Sequence, residues 1–566
     1  MVLAAEGQLR LDANWVDYLL VALYFAFVMG IGVMARRSVS TSLDFFLSGR
    51  SLPAWVTGLA FISANLGAVE IMGMSANGAQ FGIPTVHYFW VGAVPAMLFL
   101  GIVMMPFYYG SKVRSVPEFM LRRFGPGAHL VNALSFAIAQ LLIAGINLFL
   151  LAKIVNILLG WNLYISLVVA AIIVLSYITL GGLSAAIYNE VLQFFIIVAA
   201  LLPLTLVGLH KVGGYSGLQD KITAAGDGSA QLNSWPGTNL TAIDSPVLSV
   251  IGIVFGLGFV LSFGYWTTNF VEVQRAMASS SISAAQRAPI IGSFPKMFVP
   301  FIVILPGMVA AVAASEVAKA KSSGDLNFDY NNSLLYLIRD LLPNGMLGVA
   351  IAGLLASFMA GMAANVSAFN TVFSYDLWQD YVVKDRDDSY YLRVGRIATV
   401  AATVIAIGTA LFAKNYQNIM DYLQTLFGFF NAPLFATFIL GMFWKRMTAT
   451  AGWTGLVSGT LAAIFVGVIS TDVLGGASIG LIGLTGQGAS FVAAGAAFVV
   501  DIVVSVLVTF ATESKPEAEL RGLVYSLTPK SDFHDENEGV LPWYQQPNRL
   551  ALISLIMVLA LNVIFW

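Results

Sequence analysis

Four charged side chains interrupt long apolar runs of this chain, and their chemistry needs an explanation first. They are Glu70, Glu190, Lys296 and Asp501. A Lys or an Asp at the centre of a membrane-spanning helix costs about 2.5 to 3.5 kcal/mol on insertion scales, so such a residue is rarely kept without a partner or a function. Each of the four could instead belong to a buried ion pair or reach the membrane surface. Lys296, well inside its run, and Glu70, beside a break, are our leading candidates for binding an ion or a polar ligand.

Two apolar runs contain residues that are typical of broken helices. Residues 63–70 place Asn65, Gly67 and Glu70 near the middle of one run. In the other, a polar and aromatic segment at 265–269 follows three glycines. These glycines are Gly256, Gly258 and Gly264. An unwound turn frees backbone carbonyls, which a membrane tolerates only where they line a cavity or bind an ion. Close helix packing through small residues would explain the same pattern without a ligand.

The elements that must position these residues are predicted membrane helices. A helix needs about 20 apolar residues to cross roughly 30 Å of hydrocarbon, and the chain contains fourteen such runs. They lie at 15–35, 53–80, 84–108, 128–158, 162–182, 187–209, 246–274, 289–316, 344–372, 392–412, 418–444, 450–470, 490–511 and 549–566. The runs with breaks are the second and the seventh. Two five-helix repeats of inverted topology would give this spacing, with a ligand held between the repeats.

Composition supports a membrane protein and excludes several other classes. Hydrophobic residues make up 58% of the chain and charged residues 10%, with a mean hydropathy of +0.82. A soluble protein would carry about 25% charged residues, so we expect the bilayer to be the solvent. The net charge of -2 offers no basic excess for nucleic acid. The absence of cysteine removes disulfides, thiolate metal sites and cysteine nucleophiles.

The sequence carries no signature of an enzyme or of an ATP-driven pump. The four histidines occur singly, so no His-Glu-x-x-His pair is present to hold zinc. No Gly-x-x-x-x-Gly-Lys-Ser/Thr phosphate loop is present either. We therefore expect a protein that is not an enzyme and that works through an ion gradient or through no energy source at all.

The distribution of Lys and Arg predicts the orientation. With the N-terminus outside, nineteen of the 28 cations lie in inside loops, eight lie outside and Lys296 lies within a run. The first residues lack the basic and apolar stretches of a cleaved signal. We expect an extracytoplasmic N-terminus at 1–14 and a transmembrane transporter domain at 15–566, in a multi-pass protein of the plasma membrane, most simply a bacterial inner membrane.

Five short motifs, in order along the chain, resemble the sodium:solute symporter family, and specifically its sodium/glucose (galactose) cotransporter branch. They are residues 46–53 (FLSGRSLP), 115–119 (SVPEF), 181–185 (GGLSA), 212–215 (VGGY) and 441–446 (GMFWKR). The resemblance covers nearly the whole chain. It implies an all-α membrane protein of about 14 transmembrane helices, with LeuT-type inverted five-helix repeats at approximately 53–209 and 246–444. It also implies alternating access to a sugar held between the broken helices.

The resemblance implies a set of site residues with polar or aromatic side chains. The substrate-binding positions are Asn65, Glu70, His87, Tyr88, Ser262, Trp266, Lys296 and Gln424. Tyr265 matches the aromatic residue that gates the sugar from the inside, and Glu190 matches an acid linked to the ion path. A neutral polyol needs convergent hydrogen-bonding groups and an aromatic face, so these residue types suit a sugar.

Three positions depart from the galactose-transporting members of the family. Glu70 stands where they have glutamine, Phe89 where they have an acceptor glutamate, and Ser262 where they have asparagine. One carboxylate in either of the first two positions can accept hydrogen bonds from hydroxyl groups, so the acid could simply have moved between walls. Alternatively the solute differs, and Glu70 pairs with a cation, pairs with Lys296 or carries a proton.

The predicted sodium site departs from the family as well. The resemblance places sodium against the backbone carbonyls of Ser63, Leu66 and Ser357 and against two serine hydroxyls. Ala360 and Gly361 occupy the positions of those serines. Because a hard cation requires several oxygen ligands, three carbonyls form a poor cage unless water or another side chain contributes.

These observations lead to one expected function and two alternatives. We expect a secondary active transporter that couples sodium to uptake of a galactose-like or glucose-like sugar or a similar small polar solute. It would need no cofactor besides sodium as the coupling ion, and its partners would be solute, Na+ or H+ and membrane lipid, but not nucleic acid. The alternatives are a proton-coupled or facilitative carrier and a solute sensor with a transport fold. The exact solute, the stoichiometry, the oligomeric state and the role of Asp501 stay open.

Overall fold

The described part of the chain is helical. The computed structural model describes residues 9–36, 42–226, 228–235, 240–241, 243, 245–325, 328–413, 418–471, 478–533 and 541–566. The first part of the predicted N-terminal segment 1–14, up to residue 8, lies outside these residues. The main helices are α1 (Trp15–Arg36), α2 (Ala54–Asn65), α3 (Val69–Phe81), α4 (Ile83–Gly110), α5 (Pro126–Leu159), α6 (Leu163–Val212), α7 (Pro246–Thr268), α8 (Phe270–Met277), α9 (Ile282–Ala313), α10 (Met346–Val382), α11 (Asp388–Ala413), α12 (Ile419–Phe443), α13 (Ala449–Ile469), α14 (Gly486–Ala511) and α15 (Pro547–Ile564).

Most of these helices are long and apolar enough to cross a membrane. Within the described residues, 12 helices meet this criterion, and the bent pair α2 and α3 adds a thirteenth span. The predicted runs 162–182 and 187–209 both fall in α6, which has 50 residues. Its 50 residues are enough for two spans of about 20 residues each. The all-helical membrane fold is therefore confirmed, and the predicted number of fourteen spans is approximate.

The first predicted break is confirmed, and its cause is local packing. Helices α2 and α3 are bent by 59° at residues 66–68. A Cβ atom on Gly67 would lie 2.9 Å from the Asn147 side-chain oxygen and 3.3 Å from the Cα of Gly361. The same Asn147 oxygen accepts a 3.1 Å hydrogen bond from the backbone N–H of Ala68. Glycine thus permits the close approach, and a side chain of α5 satisfies an amide that the break exposes.

The second break lies at Asn269, after the glycines that suggested it. Asn269 has extended backbone angles between α7 and α8, and its side-chain oxygen accepts a 3.1 Å hydrogen bond from the N–H of Val271. This side chain caps α8 in the usual manner of asparagine. The glycines serve packing instead: Cβ atoms on Gly256 and Gly264 would lie 2.8 and 2.9 Å from backbone oxygens of α14 and α12.

Asp501 lies in the packing of α12, α13 and α14. Its carboxylate accepts hydrogen bonds of 2.8 Å from the Thr437 hydroxyl and 3.0 Å from the Ser505 hydroxyl. A Cβ atom on Gly455 would lie 2.6 Å from one carboxylate oxygen. The acid is fully buried; it is hydrogen-bonded to α12 and packs closely against α13, which accounts for its presence in an apolar run without a ligand.

Candidate functional site

A cavity of about 90 Å³ lies at the two breaks. It is bounded by α2, α3, α4, α5, α7, α8, α9, α10 and α12. Nine of the residues selected from the sequence line it, namely Asn65, Glu70, Tyr88, Ser262, Tyr265, Trp266, Lys296, Gly361 and Gln424. The side chains that the resemblance assigned to solute are therefore close together, with the exception of His87.

Lys296 and Glu70 form an ion pair at the cavity wall. The Lys296 Nζ lies 2.5 Å from Oε1 of Glu70 and donates a second hydrogen bond to the side-chain oxygen of Asn65. The Lys296 side chain is 2% exposed and that of Glu70 is 12% exposed. The carboxylate therefore retains access to the cavity, whereas the ammonium group is directed to protein acceptors.

Two aromatic rings complete the environment of Lys296. Its Nζ lies 4.7 Å from the ring centre of Phe89 and 5.2 Å from that of Trp266. Such cation–π contacts stabilise a desolvated ammonium by about 2 kcal/mol. The departures at positions 70 and 89 are thus physically linked, because the acid on α3 neutralises Lys296 while the phenyl ring on α4 covers it.

A hydrogen-bonded chain continues from the ion pair to the predicted gate. The side-chain N–H of Asn65 donates to the hydroxyl of Tyr265 over 3.0 Å, and that hydroxyl donates to Oε1 of Glu272 over 2.6 Å. The Tyr265 ring packs on Phe427, with 4.6 Å between ring centres. Tyr265 is thereby held between α2, α8 and α12, which is a suitable position for a side chain that closes a cavity.

The other predicted solute ligands differ in how much hydrogen-bonding capacity remains. The Tyr88 hydroxyl donates to Gln487 over 2.5 Å. Ser262 packs so closely on α4 that a Cβ atom on Gly92 would lie 2.2 Å from its hydroxyl oxygen. Gln424 lines the cavity, and within the described residues its amide makes no hydrogen bond to protein. Gln424 and Glu70 are therefore the polar side chains best placed to meet a solute.

His87, also predicted as a solute ligand, lies away from the other predicted ligands. His87 does not line the cavity. Its Nε2 is 2.7 Å from the carbonyl oxygen of Ser234, and its ring packs against Trp235 with 4.3 Å between centres. On α4 it immediately precedes Tyr88, and neighbouring helical positions point in different directions. Its role is to hold the segment before α7 on the bundle.

The predicted ion ligands lie around the first break, but they are not an open ring of carbonyls. The Ser357 hydroxyl donates to the Leu66 carbonyl over 2.5 Å. The Ser63 hydroxyl is buried and has no hydrogen-bond partner among the described residues. Gly361 contacts the Asn147 side-chain oxygen so closely that a Cβ atom would lie 2.6 Å from it. Ala360 is fully buried and offers no side-chain oxygen.

Glu190 is one half of a buried ion pair. Its Oε1 lies 2.6 Å from the NH2 of Arg275, and both side chains are 0% exposed. Arg275 also donates to the carbonyl of Val271 and to the side chain of Gln274. Arg275 lies in α8 and joins that helix to α6. Glu190 does not line the cavity.

A second cluster with metal-ligating atoms lies between α5 and α10. His129, Asp376 and Asp380 bring their ligand atoms within 4.8 Å of one another. His129 is 3.0 Å from the Asp376 carboxylate and 2.8 Å from the Tyr381 hydroxyl, and Ser115 donates to the same carboxylate over 2.7 Å. These contacts explain the cluster as a polar junction between the two helices.

Two residues that shape the site, Glu272 and Asn147, were not selected from the sequence, and Asn269 was selected only as the end of the segment 265–269. Glu272 is an acid inside the predicted run 246–274, so the criterion that selected Glu70 applies to it equally. Asn269 ends the predicted aromatic segment and forms the second break. Asn147 has no local signal, because only the fold brings α5 against the break between α2 and α3.

The fold and the site define a multi-pass membrane carrier, with a central cavity between two broken helices and Tyr265 at its wall. The model of the sodium:solute symporter family matches residues 45–459. The chain belongs to this family, and it is accordingly a secondary active transporter and not an enzyme.

Its relatives are symporters of known sequence or structure. The sodium/glucose cotransporter of Vibrio parahaemolyticus is 29% identical over 470 residues, which cover 80% of this chain and 85% of that one. The sodium/glucose cotransporter 4 of Mus musculus is 30% identical, with 79% and 68% covered. The structure of a Na+-coupled sialic acid symporter in an outward-open state matches with a TM-score of 0.73 at 17% identity, over 89% of this chain and all of that one. The predicted LeuT-type fold is thereby confirmed.

Proposed function

We propose that this chain couples sodium to the transport of a neutral sugar or a similar small polyhydroxylated solute, which binds in the cavity between the broken helices. The main evidence that the solute is neutral is the charge balance of the cavity wall. Lys296 and Glu70 neutralise each other at 2.5 Å, so a neutral solute can enter without leaving an unpaired charge. A charged solute would have to break this pair.

The remaining wall provides what a sugar requires. Gln424 offers a donor and an acceptor, and the free oxygen of Glu70 accepts hydrogen bonds from hydroxyl groups. The aromatic rings of Trp266 and Phe427 line the same cavity and can cover the apolar C–H face of a ring. Sugar-transporting relatives at 29% and 30% identity support this solute class without identifying the sugar.

Sodium coupling is proposed with a modified set of oxygen atoms. The break frees carbonyls near Leu66, and the buried Ser63 hydroxyl has no partner among the described residues. The Asn147 side-chain oxygen lies against Gly361, where the family carries a serine. An amide oxygen is a suitable ligand for a hard cation, so Asn147 would replace oxygen atoms that Ala360 and Gly361 lack.

A proton-coupled or facilitative carrier is the second candidate. Ala360 and Gly361 favour it because neither supplies a side-chain oxygen to sodium. In that case uptake would be unchanged when potassium replaces sodium, and it would respond to collapse of the pH gradient.

The double variant Glu70→Gln/Gln424→Ala tests the site. Purified protein in proteoliposomes is assayed for uptake of D-galactose, D-glucose and a panel of cyclic polyols. We expect the variant to lose at least about tenfold in uptake, which corresponds to about 1.4 kcal/mol. Glu316→Gln is the matched control, since Glu316 pairs with Arg339 away from the cavity. Unchanged uptake by the double variant would contradict the proposed site.

A further inference from the structure

The ionisable side chains next to the cavity include one more acidic group than basic groups. Around Glu272 lie Tyr265 on α7, Arg275 on α8, Glu190 on α6 and Lys296 on α9. Lys296 pairs with Glu70 and Arg275 pairs with Glu190, each at contact distance. Glu272 is thus a third carboxyl group beside two cations that already have partners. Glu190, Glu272, Arg275 and Lys296 are buried, and Tyr265 is partly buried.

The hydrogen bonds of Glu272 reinforce this conclusion. The side chain is 0% exposed, Oε1 accepts only the Tyr265 hydroxyl, and Oε2 has no hydrogen-bond partner among the described residues. An ionised carboxylate in such a site would lose its hydration without compensation, at a cost of several kcal/mol. A proton on Oε2 removes that charge and leaves the accepted hydrogen bond in place.

We propose that Glu272 is a proton-binding site that controls the gate at Tyr265. When Glu272 carries a proton, the chain Lys296–Asn65–Tyr265–Glu272 is complete and the gate is held over the cavity. Loss of the proton to water places an unpaired charge next to Tyr265, and the carboxylate gains hydration only if α8 and the gate move apart. The step transfers one proton between water and Oε2, and no other bond to the carboxyl group forms or breaks.

This proposal adds a proton-dependent step to the proposed function, and only the gating part depends on transport of a solute. Proton binding at Glu272 concerns the protein alone. The two parts are therefore tested separately, so that a wrong solute assignment and a wrong proton site give different results.

Infrared difference spectroscopy of the purified full chain in nanodiscs, without solute, tests proton binding. A buried protonated carboxyl group has its own C=O stretching band. We expect such a band in the wild type, its loss in Glu272→Gln and its retention in Asp501→Asn. Asp501 is the matched control because it is equally buried but accepts hydrogen bonds from two hydroxyls, Thr437 on α12 and Ser505 on its own helix α14.

A second variant keeps the test decisive if Glu272→Gln does not fold. Tyr265→Phe removes the donor to Oε1 and must shift the frequency of the same band. A wild-type spectrum without a protonated carboxyl band, or one whose bands are all unaffected by both variants, would overturn the proposal.

Counterflow of D-galactose in proteoliposomes, at equal sodium on both sides, tests the gating part. The protonated fraction of a single acid falls about tenfold per pH unit above its titration point, so the wild-type rate should depend on pH. Glu272→Gln resembles the protonated form and should lose this dependence, whereas Glu316→Gln should keep it. Equal pH dependence in the wild type and Glu272→Gln would overturn control of the gate. If no solute of the panel exchanges, the spectra still decide whether Glu272 binds a proton.

Discussion

The Nζ of Lys296 and the Oε1 of Glu70 are 2.5 Å apart at the wall of the central cavity. Lys296 comes from the unbroken α9, and Glu70 lies on α3 directly after the first break. The pair therefore joins the broken helix to a neighbouring helix and, through Asn65, to Tyr265. Any movement that opens the cavity at this break must change these contacts.

The ion pair should show strong energetic coupling. Removal of one partner from a buried pair costs about 3 to 5 kcal/mol, and the 12% exposure of Glu70 places this pair near the lower limit. Lys296→Gln and Glu70→Gln should each lower the melting temperature of the purified protein. The double variant Glu70→Gln/Lys296→Gln should be more stable than the sum of the single effects predicts, by about 1 kcal/mol or more. Additive effects would mean that the two groups do not interact.

A carboxylate at position 89 on α4 should be able to replace the carboxylate of Glu70 on α3. Glu70→Gln alone should reduce uptake of D-galactose, because the pair with Lys296 and one acceptor are lost. Phe89→Glu introduces a carboxylate on α4, since the Phe89 ring already lies 4.7 Å from Nζ. The double variant Glu70→Gln/Phe89→Glu should recover uptake relative to Glu70→Gln. Phe89→Leu combined with Glu70→Gln is the control, and equal uptake by the two double variants would rule out the transfer.

Gly361 should not tolerate a side chain. A Cβ atom there would lie 2.6 Å from the Asn147 oxygen and 3.0 Å from the Cα of Gly67. Gly361→Ala should therefore lower both the melting temperature and the sodium response of uptake. Gly408→Ala on α11 is the matched control, because a Cβ atom at that position has nothing within 4 Å. If both variants behave like the wild type, the break is not held by this contact.

Glu190 should affect stability more than ion affinity. Glu190→Gln leaves the guanidinium of Arg275 buried without its carboxylate partner, and the yield of folded protein should fall. The sodium concentration that gives half-maximal uptake by the surviving protein should stay within about twofold of the wild type, which is less than 0.5 kcal/mol. A large shift in this concentration with a normal melting temperature would instead support a role on the ion path.

Most of the helices and the first break could be predicted from the sequence because the relevant signals are local. Apolar runs of membrane length predicted most helices, and the Asn65-Leu66-Gly67 sequence located the first break. The second break lies at the end of the predicted segment 265–269, because Gly256 and Gly264 serve close packing, while Asn269 ends the helix by capping the next one. A glycine in the sequence does not by itself distinguish a site of close helix packing from a helix break.

The candidate site depended on contacts that no local pattern encodes. The pairing of Lys296 with Glu70 was one of several alternatives, because residues 226 positions apart meet only in the folded bundle. Asn147 reaches the break from α5 for the same reason. His87 illustrates the same limit, since its neighbour Tyr88 lines the cavity while His87 itself points toward Ser234.

The central claim is sodium-coupled transport of a sugar, and one assay tests it directly. Radiolabelled D-galactose and D-glucose are supplied to proteoliposomes that contain the purified chain, with either an inward sodium gradient or an equal potassium gradient. The account predicts that at least one sugar accumulates transiently above its equilibrium level with sodium and reaches only equilibrium with potassium. Equal uptake of every sugar under both gradients, or no uptake above protein-free vesicles, would contradict it.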